Sequence, residues 1–278
     1  FIEHGGFYKH DGKYIVSYQA GDAWGAHFSE GGHAVGRVGL ARYSYDFNHW
    51  SAGFIESFAF PEPRDPSLRG IKGSYDQVHM GVAPASFGNV CVGLFGLWHT
   101  RAEYQDVSCD LGLVVSNDGF RFREPAKGLV FLAAEDSPVT PHPQHRFLTN
   151  LCQGNGILNV GDETRLYHSR WRSTGYKYIE DYHGEIALAT LPRDRWGALG
   201  IFPNADEGSV WTTPITLPDQ GCRLTLRNNP ALISPSRGTI VRWARSVEKM
   251  FVSKLLFTKE LGLSRDSMQS TWKDYDLH

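Results

Sequence analysis

Residues 113–122 read LVVSNDGFRF. An apolar, β-branched run closes at Ser116, Asp118-Gly119 follows as a turn signal, and Phe122 stands six places beyond the serine. The same order occurs upstream in LARYSYDFNHW, residues 40–50, and downstream in LATLPRDRW, residues 188–196. In each copy a polar residue (Ser44, Ser116, Thr190) ends a strand, an acid (Asp46, Asp118, Asp194) follows, and an aromatic (Trp50, Phe122, Trp196) sits six places on. The copies are roughly 70 residues apart, and a fixed period predicts an array of similar units. The length suits a four-stranded propeller blade with long loops.

Composition supports this reading. The chain has 278 residues, 41% of them hydrophobic and 13% aromatic, with 30 glycines, and long helical periodicity is scarce. That pattern favours an all-β protein. A formal net charge of −2 does not suit a polyanion partner, so nucleic acid is not expected. No apolar run is long enough to span a bilayer as a helix. The sequence leaves the compartment open. No HExxH or similar spacing occurs among the twelve histidines, and the four cysteines form no CxxC pair. No metal site and no cofactor are therefore expected. Cys91 and Cys109 fall on neighbouring predicted strands, where a disulfide or two free thiols are both open readings.

Taken in order, the first unit has a turn at His10-Asp11-Gly12 and strands over 13–18, 35–43 and 49–55. Residues 21–33 read as a loop and 61–73 as a proline-rich linker. The second unit has strands over 76–84 and 90–98 about Phe87-Gly88-Asn89, then 110–115 and 120–123. Residues 134–144 form a Pro/Asp/His loop. The third has strands over 154–160 and 164–170 about Gly161-Asp162, then 185–190 and 196–201. The rhythm changes after residue 208, where strands over 210–217, 223–226, 239–244 and 252–257 read as part of a β-sandwich. The predicted division is thus blades over 1–208 and a sandwich-like segment over 209–278. Three blades cannot close a ring. Either further blades precede Phe1 or the C-terminal strands help close it, and the strand that begins almost at residue 1 favours the first reading.

The first strand of each blade lines a propeller's axis. Aligning the units on Gly12, Gly88 and Gly161 puts Glu3, Asp76 and Thr149-Asn150 at matching axial positions. Two of the three are carboxylates, and converging carboxylates are what glycosidic cleavage uses: one protonates the leaving oxygen, the other activates water or attacks the sugar. The flanking candidates for substrate contact are His4, His79 and Gln153. Trp98, His168 and Arg170 join them from second strands, with Asn150 from the axial set, since aromatic faces and forked donors suit sugar rings and hydroxyls. Asp46, Asp118 and Asp194 read instead as turn-forming acids.

The segments GKYIVSYQ, SYDFNHW, YDQVHMGVAP, LVVSNDGFRF, VGDETRLYHSRW and GEIALATLPRDRW together resemble the five-bladed β-propeller glycoside hydrolases, the superfamily of arabinanases, xylosidases and fructosidases. The nearest likeness is to a family 43/32-like branch with a C-terminal β-sandwich, and GSVWTTPITLPDQGCRLTLRNN resembles the crossing into it. The resemblance covers residues 1–230 and rests on blade patterns. It implies a saccharide substrate, no cofactor, and a blade-borne acid at Glu3; in that superfamily an axial Asp in the next blade is less usual as a catalyst, so Asp76 as base or tuning partner rests on its matching repeat position alone. The acid that some relatives carry near Asn150 is missing here, which leaves a non-catalytic carbohydrate-binding propeller as the alternative. A phosphorylase-like reading would need basic residues beside the acid, with Arg170 the one obvious candidate.

Overall fold

The computed structural model describes residues 2–20, 37–58, 77–99, 106–197, 208–211, 222–224, 238–245, 251–258 and 275–277. The chain divides into two compact units, Phe1–Trp196 and Gly197–His278. No α-helix occurs among the described residues, and the protein is all-β.

The first unit holds three antiparallel meanders. β1 (Ile2–His10), β2 (Lys13–Ala20), β3 (Val38–Ser44) and β4 (Ile55–Phe58) pair in chain order. So do β5 (Gln77–Ser86), β6 (Cys91–His99), β7 (Ser108–Ser116) and β8 (Val130–Leu132). The third meander has β9 (Thr149–Val160), β10 (Glu163–Arg172) and β11 (Gly184–Pro192), with a 3-10 segment, Tyr176–Asp181, before β11. One parallel bridge, Cys109 to Asn150, joins β7 to β9. The hairpin turns carry Gly12, Gly88 and Gly161, all at positive φ (74°, 80° and 58°). A hairpin turn of this kind asks for that backbone, and glycine adopts it without strain.

The meanders stack with the second in the middle. β6 is apolar and buried from Cys91 to Trp98 because both its faces are covered, as expected for a strand with no solvent side. Cys91, Phe95 and Leu97 pack with Phe58 of the first sheet, whose ring lies 4.7 Å from Phe95. Val92 and Leu94 pack with Leu111, Leu151, Ile157 and Leu166, which reach into the third sheet. The first strands of the three meanders, β1, β5 and β9, pack against one another. Among the described residues the sheets do not close into a ring.

Several expectations need correction. Residues 49–55 are not a strand, because the Asp46 carboxylate accepts the N–H groups of Asn48 and His49 (2.9 and 2.8 Å) and bends the chain, so β4 starts only at Ile55. Residues 120–123 are likewise drawn into a turn by Asp118, which accepts from Phe120 and Arg121 at 2.8 Å each. They keep one bridge, Val115 to Arg123, while β8 takes the fourth place in the sheet. Asp194 does not copy this turn. It stands four residues after Thr190, where Asp46 and Asp118 stand two after their serines, and its carboxylate instead accepts from Asn159 (2.6 Å). Trp196 lies beyond β11 and packs its ring near Phe87 and Phe131. Residues 198–201 of that expected strand, the loop 21–33 and the linker 61–73 lie outside the described residues. Cys91 and Cys109 are both free: Cys91 pairs with Ser116 and Cys109 with Trp98, at opposite ends of the β6–β7 hairpin.

The second unit contains a three-stranded antiparallel sheet, in the order β12 (Gly208–Trp211), β15 (Phe251–Thr258), β14 (Gly238–Arg245), and a pair, β13 (Cys222–Leu224) with β16 (Tyr275–Leu277).

Candidate active site

The starts of β1, β5 and β9 bring polar side chains together. Glu3 pairs across the first hairpin with Gln19, whose Nε2 donates to the Glu3 carboxylate. The other end of the same amide accepts the N–H of Met80 in β5 (2.6 Å). One buried glutamine thus fixes the carboxylate of one sheet against the backbone of the next. The close approach needs Gly5, since a Cβ there would overlap the Met80 carbonyl oxygen.

β5 is bulged at that point. Met80 and Gly81 both take positive φ (61° and 75°), and the pairing with β6 shifts between His79 and Val82. Such bulges re-aim side chains. The carbonyls that the bulge turns out of the ladder are caught from β9: Gln153 Nε2 donates to the oxygens of His79 (2.6 Å) and Gly81 (2.8 Å). Cys152 Sγ lies 3.1 Å from Met80 Sδ.

Beside the bulge, the buried His79 ring lies 4.6 Å from Trp98, and the Arg37 guanidinium covers that indole at 4.8 Å. Trp171 of β10 stands 6.3 Å from Trp98 and pairs with Asn150. Burial, with the Arg37 charge behind it, pushes His79 down to about 3. At neutral pH His79 is therefore an uncharged hydrogen-bonding group and cannot serve as a general acid. Burial pushes Cys152 up to about 11 and Cys109 well above the ordinary thiol range, which excludes either as a thiolate nucleophile near pH 7.

Five buried polar atoms here have no protein partner. Asn150 is fully buried with both its Oδ1 and Nδ2 unbonded, and His79 Nδ1, Gln153 Oε1 and Arg37 Nη1 are likewise unbonded. Orphaned buried groups cost about 1–3 kcal/mol each, and their clustering on adjoining strands marks a place where a polar ligand or water completes them.

The remaining sequence candidates lie elsewhere. His4 is exposed and packs near Phe7 and Tyr18. His168 is buried and bonded to Ser137 Oγ (3.0 Å). Arg170 is held by Glu185 through Nε (2.7 Å), and bonds from Thr140, then Arg170 and His183, hold Glu185 at about 2. Asp76 lies outside the described residues; Gln77, which follows it, is buried and pairs with Trp98. The other end of the strands carries an open cavity of about 500 Å³ among the turns at His10, Gly88 and Asn117, but its carboxylates are engaged, Asp11 by Lys13 and Asp118 by its own turn.

Gln19, Arg37 and Met80-Gly81 are the members that sequence reading passed over. Counting from the turn at Asp11-Gly12 sets Ala20 opposite Glu3, and only the register shift between His4 and Gly6 brings Gln19 there, so Gln19 carries no direct sequence signal. A glycine within a strand signals a bulge, which marks Gly81. Arg37 carries no such signal.

No family model and no curated protein matches this chain. Among solved structures it is similar to a family 32 β-fructofuranosidase from Bombyx mori with sucrose bound, at 16% identity and TM-score 0.42, over 68% of this chain and 32% of that one. It is also similar to the family 117 glycoside hydrolase Zg3597 of Zobellia galactanivorans, at 11% and 0.39, over 96% and 87%. A third is the xylan β-1,4-xylosidase of Bacillus halodurans, at 9% and 0.33, over 94% and 50%. The chain thus spans about a third of the Bombyx enzyme. All three are glycoside hydrolases, yet none of the three reaches a TM-score of 0.5. Fold and function therefore rest on the chain's own residues.

Proposed function

We propose that the three meanders are blades of a β-propeller glycoside hydrolase, and that the polar cluster at the starts of β1, β5 and β9 is its saccharide site. The observation that carries this reading is the Glu3–Gln19–Met80 link, which holds a carboxylate where three first strands meet beside unpaired buried amides. In this reading Glu3 is the general acid that protonates the leaving glycosidic oxygen. Asp76, one residue before the buried Gln77, is the partner that activates water or tunes the acid. Asn150, Gln153 and His79 bind sugar hydroxyls, and the half-buried Trp171 offers an apolar face, while Trp98, enclosed by His79 and Arg37, supports it from behind. Which sugar is bound depends on contacts that the blade pattern does not specify, and fold-level likeness alone does not supply them.

The second reading is a non-catalytic carbohydrate-binding propeller. It is favoured by Glu3 being the one carboxylate of this cluster among the described residues. The two separate on one experiment, in which the protein is titrated with and assayed on arabinan, xylan and fructan oligosaccharides. The hydrolase reading expects turnover that falls by about 10³-fold or more in Glu3→Gln while saccharide affinity persists. Affinity without any turnover in the native protein would leave only the binding reading, and neither affinity nor turnover would remove both.

A further inference from the structure

The loop after β8 and the 3-10 segment after β10 bring together three metal-ligating side chains. His142 Nε2 lies 3.4 Å from Asp181 Oδ1, and His145 Nε2 lies 4.0 Å from Asp181 Oδ2. The three ligand atoms fall within 4.8 Å of one another. Two ligands about 2.1 Å from a tetrahedral ion stand roughly 3.4 Å apart. The His142–Asp181 separation already meets this, and His145, on the exposed side, has to close by up to about 1.4 Å.

Arg172 fixes the two segments against each other. Its buried guanidinium donates to the carbonyls of Thr140 and Pro141 on the loop and of Asp181 on the 3-10 segment (2.9, 3.2 and 3.2 Å). The ligand-bearing backbone is therefore held independently of any ion, as a binding site requires. The geometry points to a site for a divalent transition ion of borderline softness, such as zinc. Two imidazoles and one carboxylate suit that class rather than calcium or magnesium, which prefer all-oxygen shells.

One adjustment accompanies binding. His142 Nδ1 accepts the N–H groups of Gln144 and His145 (3.2 and 3.1 Å), so the ring proton sits on Nε2 and faces Asp181. The ion takes that position, the proton moves to Nδ1, and two long surface bonds pass to water. His142 is accordingly the weakest of the three ligands. The bound ion would staple the 134–146 loop to the 3-10 segment. Val139 N donates to Thr149 Oγ1 in β9 (3.1 Å), so the same loop is tied to the strand that carries Asn150.

Zinc chloride titrated calorimetrically into the full chain tests the proposal, with thermal unfolding of each variant recorded in parallel. One equivalent should bind. Asp181→Asn and His145→Ala should each weaken binding at least about 10-fold, His142→Ala should weaken it less, and zinc at a concentration that saturates the native protein should raise its Tm by about 5 °C and that of Asp181→Asn and His145→Ala by distinctly less. Unaltered affinity in both Asp181→Asn and His145→Ala would place the ion elsewhere, on the thiols for instance, and overturn the site, as would absence of binding. If the Tm of His145→Ala without zinc falls sharply, His145→Gln repeats the comparison with a smaller change in volume; Asp181→Asn is already isosteric.

Discussion

His79 shows how much one residue's surroundings decide. Its ring is enclosed by Trp98 and the β5 bulge and stays neutral down to about pH 3. The unfolded chain takes up that proton near pH 6.5. Between these values the unfolded state binds more protons, so the stability contributed by neutral His79 is complete above pH 6.5 and declines as pH falls toward 3. The slope approaches about 1.4 kcal/mol per pH unit, in a window that starts above the range where carboxylates titrate. His168, also lowered by burial, adds a slope of the same sign. Urea unfolding at pH 7, 6 and 5 should therefore show a marked loss of stability that is distinctly shallower in His79→Gln. An identical slope in the variant would mean that the ring is reached by water. The sequence placed His79 near an axial strand, and Glu3, Asn150 and Gln153 with it, by counting back from turn glycines. It could not give the charge state of His79. That depends first on burial beneath Trp98 and the bulge, and then on Arg37, which is distant in the chain, and both arise only through the order of the sheets.

Among the elements, the bulge in β5 does the most to shape the site. It turns the His79 and Gly81 carbonyls toward Gln153 and presents the Met80 N–H to Gln19. Gly81 is confined twice over, by φ of 75° and by the Tyr18 carbonyl oxygen, which would lie 2.8 Å from a Cβ. Gly81→Ala should cost about 2–4 kcal/mol in urea unfolding. It should also weaken saccharide binding, because the amides of both Gln19 and Gln153 lose their anchor. A cost below 0.5 kcal/mol would show that the bulge relaxes without penalty. Hairpins with glycine turns were legible because backbone chirality restricts who can stand there. The serine–acid turns at Asp46 and Asp118 were legible as turns. Their effect on the next strand was not, since Asx-type bonding competes with the sheet and here it wins.

At the scale of the molecule, the middle sheet is the keystone of the first unit. Phe95 is fully buried between Phe58 and the backbone of Gly112. Phe95→Ala should destabilise by about 3–5 kcal/mol, as truncations of buried aromatics do. The stack ends on apolar faces at both sides, with Phe7 and Phe47 exposed on the first sheet and Ile186 and Leu188 on the third. The period of the serine–acid motif announced three repeated units, and three meanders are present. Ring closure could not be read from it, because closure depends on how many sheets share the axis and a motif count reports only those in hand.

The central claim, that Glu3 is a general acid, is tested most directly by varying the leaving group. Hydrolysis of an unactivated disaccharide needs a proton on the departing oxygen, while hydrolysis of the corresponding para-nitrophenyl glycoside scarcely does. Glu3→Gln should lower kcat/KM by about 10³-fold or more on the disaccharide and by far less on the aryl glycoside. Equal losses on both substrates, or no loss on either, would contradict the assignment.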